Sequence, residues 1–263
     1  MLYWIKFQKK LELAMNEFAL IQKYFKKLTY NNPSALNLND DVFFDKKNNV
    51  VVSSDTYVEG VHFLDFRKPD LVIKKILRSS ISDLYCKGVK PKFIFIGASG
   101  NNLSFSKKNL DLVYKSLKQE QKKYKFKLSG GDTTKSNKTI FTITSLGYSK
   151  KIVQRNKCKN NDDVYVTGNL GDSYLGLLLL RKRLFLRNNE QRKYFIQKYY
   201  KPNLPIKIAT KLLKFANSSI DISDGLLGDL AKLINTSKLY FRLDLEKIPI
   251  SSKLKTYLVK SKK

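Results

Sequence analysis

The chain has 263 residues, 42% of them hydrophobic, and a formal net charge of +29. That length can bury a sizeable core in one large or two small domains, and the apolar fraction excludes general disorder. No apolar run is long enough to span a bilayer, the two cysteines fit no metal or redox spacing, and a single histidine, His62, leaves little room for a histidine-based zinc site.

The first ten residues alternate lysine with aromatics and lack the apolar stretch and cleavage site of a secretory signal. Phe18, Ile21, Phe25 and Leu28 recur at helical spacing and predict an amphipathic helix over 16–28, stopped by Asn31-Asn32-Pro33. Val50-Val51-Val52-Ser53 predicts a buried strand leading to Asp55. An amphipathic helix is expected over 70–87, with Asp83 near its end. Phe93-Ile94-Phe95-Ile96 reads as a strand, 106–124 as a helix, and the β-branched run 139–146 as a strand. The pattern lapses at 148–162, which reads as a domain boundary. A strand is expected at 163–166, helices over 170–186, 190–199, 205–216 and 225–236, a late strand at 240–244 and a last helix from Ser251. Alternating strands and helices indicate an α/β or α+β fold.

The charge invites a nucleic-acid reading. However, 43 of the 51 basic residues are lysines scattered along the chain, without a zinc knuckle, an RNA-recognition signature or a basic heptad array. They read as a solvated surface, and no specific nucleic-acid partner is expected.

The acidic residues are more informative. Seven of 22 sit in short, separated motifs: Asn39-Asp40-Asp41, Ser53-Ser54-Asp55-Thr56, Ser82-Asp83-Leu84, Gly130-Gly131-Asp132-Thr133-Thr134 and Ile220-Asp221-Ile222-Ser223-Asp224-Gly225. Any one of these could be a helix cap or a turn. Together, dispersed carboxylates with hydroxyl and glycine neighbours are what a Mg²⁺–phosphate site requires. No Gly-x-x-x-x-Gly-Lys-Ser/Thr loop and no protein-kinase signature accompanies them.

In this order, the five motifs resemble the thiamine-monophosphate kinase family of the aminoimidazole-ribonucleotide-synthetase-like superfamily. So do Asn16-Glu17-Phe18-Ala19-Leu20-Ile21, Gly60-Val61-His62-Phe63 and Tyr165-Val166-Thr167-Gly168-Asn169-Leu170-Gly171-Asp172-Ser173. The resemblance runs from about Asn16 to about Pro249. It implies transfer of the ATP γ-phosphoryl group to thiamine phosphate, with Mg²⁺; the two cysteines, Cys86 and Cys158, suit a reducing cytoplasm. It implies Asp41, Ser53, Ser54, Asp55, Asp83, Asp132, Asp221 and Asp224 as metal contacts, with Asp132 and Asp224 as the catalytic residues and Asp224 near the transferred phosphate. Tyr114, Gly131, Asp132, Arg155 and Ser223 are implied on the ATP side, and His62 on the thiamine phosphate. The implied architecture is an N-terminal extension over 1–15, an ATP- and Mg²⁺-binding α/β domain over 16–148 that pairs across a homodimer, and a partial C-terminal α/β domain over 149–263. The glycine-rich approach to the first Asp pair is replaced here by Leu38-Asn39, and the chain reaches Lys263 without the family's Gly-Gly-Glu-Asp-Tyr-like segment. The expectation is therefore a C-terminally truncated kinase. A remnant that keeps Mg–ATP binding without turnover and a basic nucleic-acid-binding protein stand as the alternatives.

Overall fold

The structure, a computed structural model, describes residues 17–261. The extension expected over 1–15 lies outside the described residues. Helix α1, Glu17–Leu20, continues as a π-helical turn over Ile21–Phe25 and a 3-10 turn over Lys26–Thr29, ended by the left-handed Tyr30. Phe25 and Leu28 are exposed. A helix of this length draws its stability from packing one face. With that stripe in solvent, the single helix expected over 16–28 gives way to short turns.

Five strands form one sheet in the order β1-β2-β5-β3-β4. They are β1 Phe43–Asp45, β2 Val50–Val58, β3 Pro91–Gly100, β4 Lys127–Lys135 and β5 Ile140–Tyr148. All pairs are antiparallel except β3 with β4, which are joined by a helical crossover. Helices α2, Pro69–Cys86, and α3, Lys107–Tyr124, connect β2 to β3 and β3 to β4. The sheet alternation decides what each strand offers the helices. Val51 and Ser53 on β2, Ile94 on β3 and Phe141, Ile143 and Ser145 on β5 are buried on the helix side, while Ser54, Thr56 and Phe95 face away and are exposed.

The main core joins Ile73, Ile76, Leu77 and Ile81 of α2 to Ile94 and Ile143 of the sheet. Each such side chain contributes about 1.5–3 kcal/mol on burial. Helices α4 (Asp172–Leu180), α5 (Asn189–Tyr200), α6 (Ile206–Phe215), α7 (Leu226–Leu233) and α8 (Ser252–Ser261) follow. Tyr199 and Tyr200 of α5 and Ala209 of α6 enter the same core. Arg78 of α2 makes a two-pronged ion pair with Glu120 of α3, at 2.8 and 2.9 Å, and donates to the Pro202 carbonyl at 3.2 Å. This buried pair ties both helices to the segment that follows α5.

The strands expected at 163–166 and 240–244 do not form. Both segments lie outside any sheet, and Tyr165 and Tyr240 are exposed. β-Branched and aromatic composition favours a strand only where a neighbouring strand supplies ladder hydrogen bonds, and every strand among the described residues lies between 43 and 148. Conversely, β4 escapes sequence patterning because Lys-Leu-Ser-Gly-Gly-Asp-Thr-Thr-Lys is exposed on both faces. Among the described residues, no helix is long and apolar enough to cross a membrane.

Candidate active site

Three separated motifs converge beneath the C-terminal half of α2. Ser80 and Asp83 lie three residues apart on α2, so both point to the sheet. Ser80 Oγ lies 3.1 Å from Ser145 Oγ on β5. Ser53 and Asp55, two apart on β2, share the face that meets them. Ser53 Oγ donates to Asp83 Oδ2 at 2.5 Å. From the far half of the chain, Asp221 reaches α2 and accepts from Ser82 Oγ at 2.6 Å. Thus Asp55, Asp83 and Asp221 meet although 166 residues separate the first from the last.

Burial and mutual repulsion dominate the electrostatics of this trio, with Lys87 and Arg155 opposing them at Asp221. Burial, then the nearby Asp221, pushes the Asp55 carboxyl above the ordinary carboxylate range. Asp83 is driven well above that range by burial, Asp221 and Asp55, and Asp221 is raised mainly by burial. Tyr57 donates to Asp55 Oδ2 at 3.4 Å, and burial beside these acids raises its phenol too. Among the described residues, no lysine or arginine forms an ion pair with Asp55, Asp83 or Asp221. Three converging carboxylates and a serine hydroxyl form an all-oxygen donor set. It suits a hard divalent cation, whose charge would relieve their repulsion.

Asp40 and Asp41 are placed differently. The Lys87 ammonium, fully buried at the C-terminal end of α2, lies 2.8 Å from Asp40 Oδ1 and 2.6 Å from Asp41 Oδ2. It donates to the Ser219 carbonyl at 2.8 Å. Arg155 pairs with the other Asp41 oxygen, and its backbone N–H donates to Asp40 Oδ2 at 2.8 Å. Both oxygens of Asp41 are therefore engaged by cationic side chains, and a metal ion there would compete with Lys87 and Arg155.

The loop before α7 has its own anchor. Asp229, in the first turn of α7 and 1% exposed, turns Oδ2 back onto three successive amides: Ser223 N at 2.9 Å, and Asp224 N and Gly225 N at 3.0 Å. Lys232 bridges Asp229 Oδ1 at 2.9 Å and Asp224 Oδ2 at 2.6 Å. The Asp224 side chain remains 67% exposed. Sequence reasoning missed Lys87, Asp229 and Lys232. For Asp229 a signal existed: an acid in the first turn, just after a polar loop, can satisfy free N-terminal amides.

The remaining candidates are not gathered into the trio. Ser54 points to the opposite sheet face, where its hydroxyl lies 2.9 Å from Thr144 Oγ1. Asp132 lies on edge strand β4 and accepts from Thr133 N at 2.8 Å. The register row Asp55–Ile143–Ile96–Gly131 puts Gly131 on the face of Asp55, and Asp132 on the face of Thr56 and Thr142. Gly131 is required by its own sheet: a Cβ there would fall 1.9 Å from the Ile96 carbonyl oxygen. Tyr114 of α3 is 64% exposed rather than part of the core. His62 Nδ1 accepts from Val58 N at 3.0 Å, so the neutral ring carries its proton on Nε2. The ring of His62 meets Tyr57 edge-on at 5.9 Å.

A thiamine-monophosphate kinase from Buchnera aphidicola subsp. Acyrthosiphon pisum is 36% identical over 251 residues, spanning 92% of this chain and 76% of the relative. The chain belongs to the thiamine-monophosphate kinase family. The AIR synthase related protein, N-terminal domain, model matches residues 38–149, the stretch that holds all five strands. The fold agrees along most of the family chain. A thiamine monophosphate kinase structure from Aquifex aeolicus superposes with a TM-score of 0.82 at 30% identity, covering 94% of this chain and 80% of that one. A family structure described as AaThiL complexed with AMPPCP and TMP gives a TM-score of 0.83 at 29% identity with the same coverage. The mixed α/β architecture is thus that of the family.

Proposed function

We propose that this chain transfers the γ-phosphoryl group of ATP to thiamine phosphate, giving thiamine diphosphate and ADP. The observation that carries the reading is the convergence of Asp55, Asp83 and Asp221 from three distant motifs, in a chain of this family. The ligands AMPPCP and TMP in the family structure support the same pair of substrates. Phosphoryl transfer needs positioning and charge neutralisation more than covalent chemistry. Mg²⁺ held by Asp55, Asp83 and Asp221, with Ser53 beside them, would supply that neutralisation.

The chain's own residues do the rest. The amides of Ser223, Asp224 and Gly225 are held in one direction by Asp229. On this reading Ser223 meets the ATP phosphates and Asp224 lies beside the transferred group, and the Asp229 anchor supports it by holding the loop in one conformation. Arg155 adds a cation on the same side. Gly131 and Asp132 form the β4 border of the nucleotide site, and Tyr114 offers an aromatic face for adenine. His62, with Nδ1 occupied by the Val58 amide, directs an Nε2–H donor toward the acceptor phosphate. The attacking phosphate oxygen is already ionised near neutral pH, so no general base is needed.

The open sheet face, with Phe95 and Tyr148 exposed, supports pairing of two copies through the 16–148 unit. Two free thiols, Cys86 and Cys158, support a reducing compartment such as the cytoplasm. The deciding experiment is a steady-state assay of the purified chain with ATP, thiamine phosphate and Mg²⁺. Sustained formation of thiamine diphosphate is expected. Tight nucleotide binding with no diphosphate formed would overturn the reading.

A further inference from the structure

Lys87 is an unusual lysine in this chain. It is fully buried, whereas its charge alone would place it in solvent. The backbone explains how it gets there. Helix α2 ends at Cys86, and Gly88 follows in the left-handed region at φ 80°, pressed against α6, where a Cβ would fall 2.8 Å from Leu213 Cγ. The turn at this glycine sends the Lys87 side chain inward. There its three ammonium hydrogens meet three oxygens: Asp40 Oδ1 at 2.8 Å, Asp41 Oδ2 at 2.6 Å and the Ser219 carbonyl at 2.8 Å. A lysine has three donors, and all are used.

We propose that Lys87 is the resident cation of the Asp40–Asp41 corner, standing where a divalent ion would otherwise sit, so that metal binding in this chain is confined to the Asp55–Asp83–Asp221 side. The inference rests on the metal-assisted reading above only in taking that trio as cation-binding. Charge balance carries it. Asp40 and Asp41 form ion pairs with Lys87 and Arg155, two negative groups against two positive, and the same two cations act on neighbouring Asp221 without a direct ion pair. A divalent ion entering there would have to expel one of these cations, and a buried ion stripped of its partner is costly. Asp55 and Asp83, by contrast, have no basic partner among the described residues.

A competing ligand set exists at the corner, since donor atoms of Asp41, Cys86 and Asp221 lie within 4.8 Å of one another. It does not reopen the site. Cys86 Sγ lies 3.7 Å from the same Asp41 Oδ2 that Lys87 holds, and its second hydrogen-bond acceptor is the Asp83 carbonyl at 3.1 Å. The thiol is positioned as a donor, not as a thiolate ligand.

The test counts Mn²⁺ bound per chain by the loss of free-ion EPR signal, and records the rise in melting temperature that Mn²⁺ produces. Lys87→Met is expected to bind one more Mn²⁺ than the wild type and to show a larger Mn²⁺-induced rise. An unchanged count and an unchanged rise would overturn the proposal. Should Lys87→Met fold poorly, Asp41→Asn decides instead. It is expected to leave the wild-type Mn²⁺ count intact, because Asp41 holds Lys87 and Arg155 rather than a metal; loss of an ion would overturn the proposal. Asp55→Asn separates the two readings. If it keeps every Mn²⁺, the trio is not the metal site and the reading of function through it fails, while the comparison at Lys87 still stands or falls on its own counts.

Discussion

Asp229 offers the sharpest test of how the loop over 223–225, proposed above to meet the nucleotide, is built. Its Oδ2 accepts three backbone N–H groups at 2.9–3.0 Å, and Lys232 holds Oδ1. Hydrogen bonds to a charged acceptor contribute about 1.5–3 kcal/mol each. Ser223 and Asp224 are exposed, so their amides regain water when the carboxylate is removed, and the lower figure applies. Asp229→Ala should then cost at most about 4–5 kcal/mol of stability. The functional loss follows from order rather than contact. Three residues released from the anchor must be re-fixed when nucleotide binds, at about 1 kcal/mol each at the low end of backbone ordering costs. That is about 3 kcal/mol, or roughly a hundredfold in dissociation constant. Asp229→Asn keeps one acceptor oxygen and is expected to lose about tenfold, or ~1.4 kcal/mol. The assay is calorimetric titration with AMPPCP and Mg²⁺, paired with thermal unfolding to confirm the fold. A folded Asp229→Ala variant that binds within twofold of the wild type would refute the reasoning, since the loop would then need no anchor.

Asp55→Asn removes one of three mutually repelling acids. It should melt no lower than the wild type in EDTA, yet lose most of the stabilisation that Mg²⁺ gives; retention of that stabilisation would remove Asp55 from the metal set. The same repulsion sets a pH trend. Asp55, Asp83 and Asp221 titrate above the ordinary carboxylate range when folded, so the folded state binds more protons than the unfolded one. Metal-free stability should therefore be greatest in mild acid and fall as pH rises through those raised values. Melting curves in EDTA that rise steadily toward neutral pH would contradict this. Gly131→Ala would drive a methyl into the Ile96 carbonyl of β3. It should cost about 3 kcal/mol, a drop of roughly 6–12 °C in Tm at 2–4 °C per kcal/mol; an unchanged Tm would show that β4 is free to shift.

What the sequence reveals of this site follows from what is scarce in it. In a chain with 51 basic residues and 22 acidic ones, an aspartate in a short polar motif stands out, so Asp55, Asp83 and Asp221 are legible from the order of residues alone. Helices α2 and α3 are legible as well, because 18 residues each give the 3.6-residue period room to show. The residues that complete the arrangement are hidden by abundance. Lys87 is one of 43 lysines, and nothing in its spacing separates it from Lys90, which is exposed two positions beyond Gly88. Only the turn at Gly88, seen together with α6, shows that the chain turns this lysine inward. The split between Ser53 and Ser54 could have been anticipated, since a period of two cannot send neighbouring hydroxyls to one metal through their side chains. The failure at 163–166 and 240–244 has a different cause: a strand is a pairwise object, and its composition says nothing about whether a partner lies alongside. The divalent cation's share of the work follows from this contrast. Where Lys87 and Arg155 already pair with Asp40 and Asp41, a metal would have to displace them; where Asp55 and Asp83 form no ion pair, and Asp221 feels those two cations only at longer range, the proposed Mg²⁺ has charge left to balance.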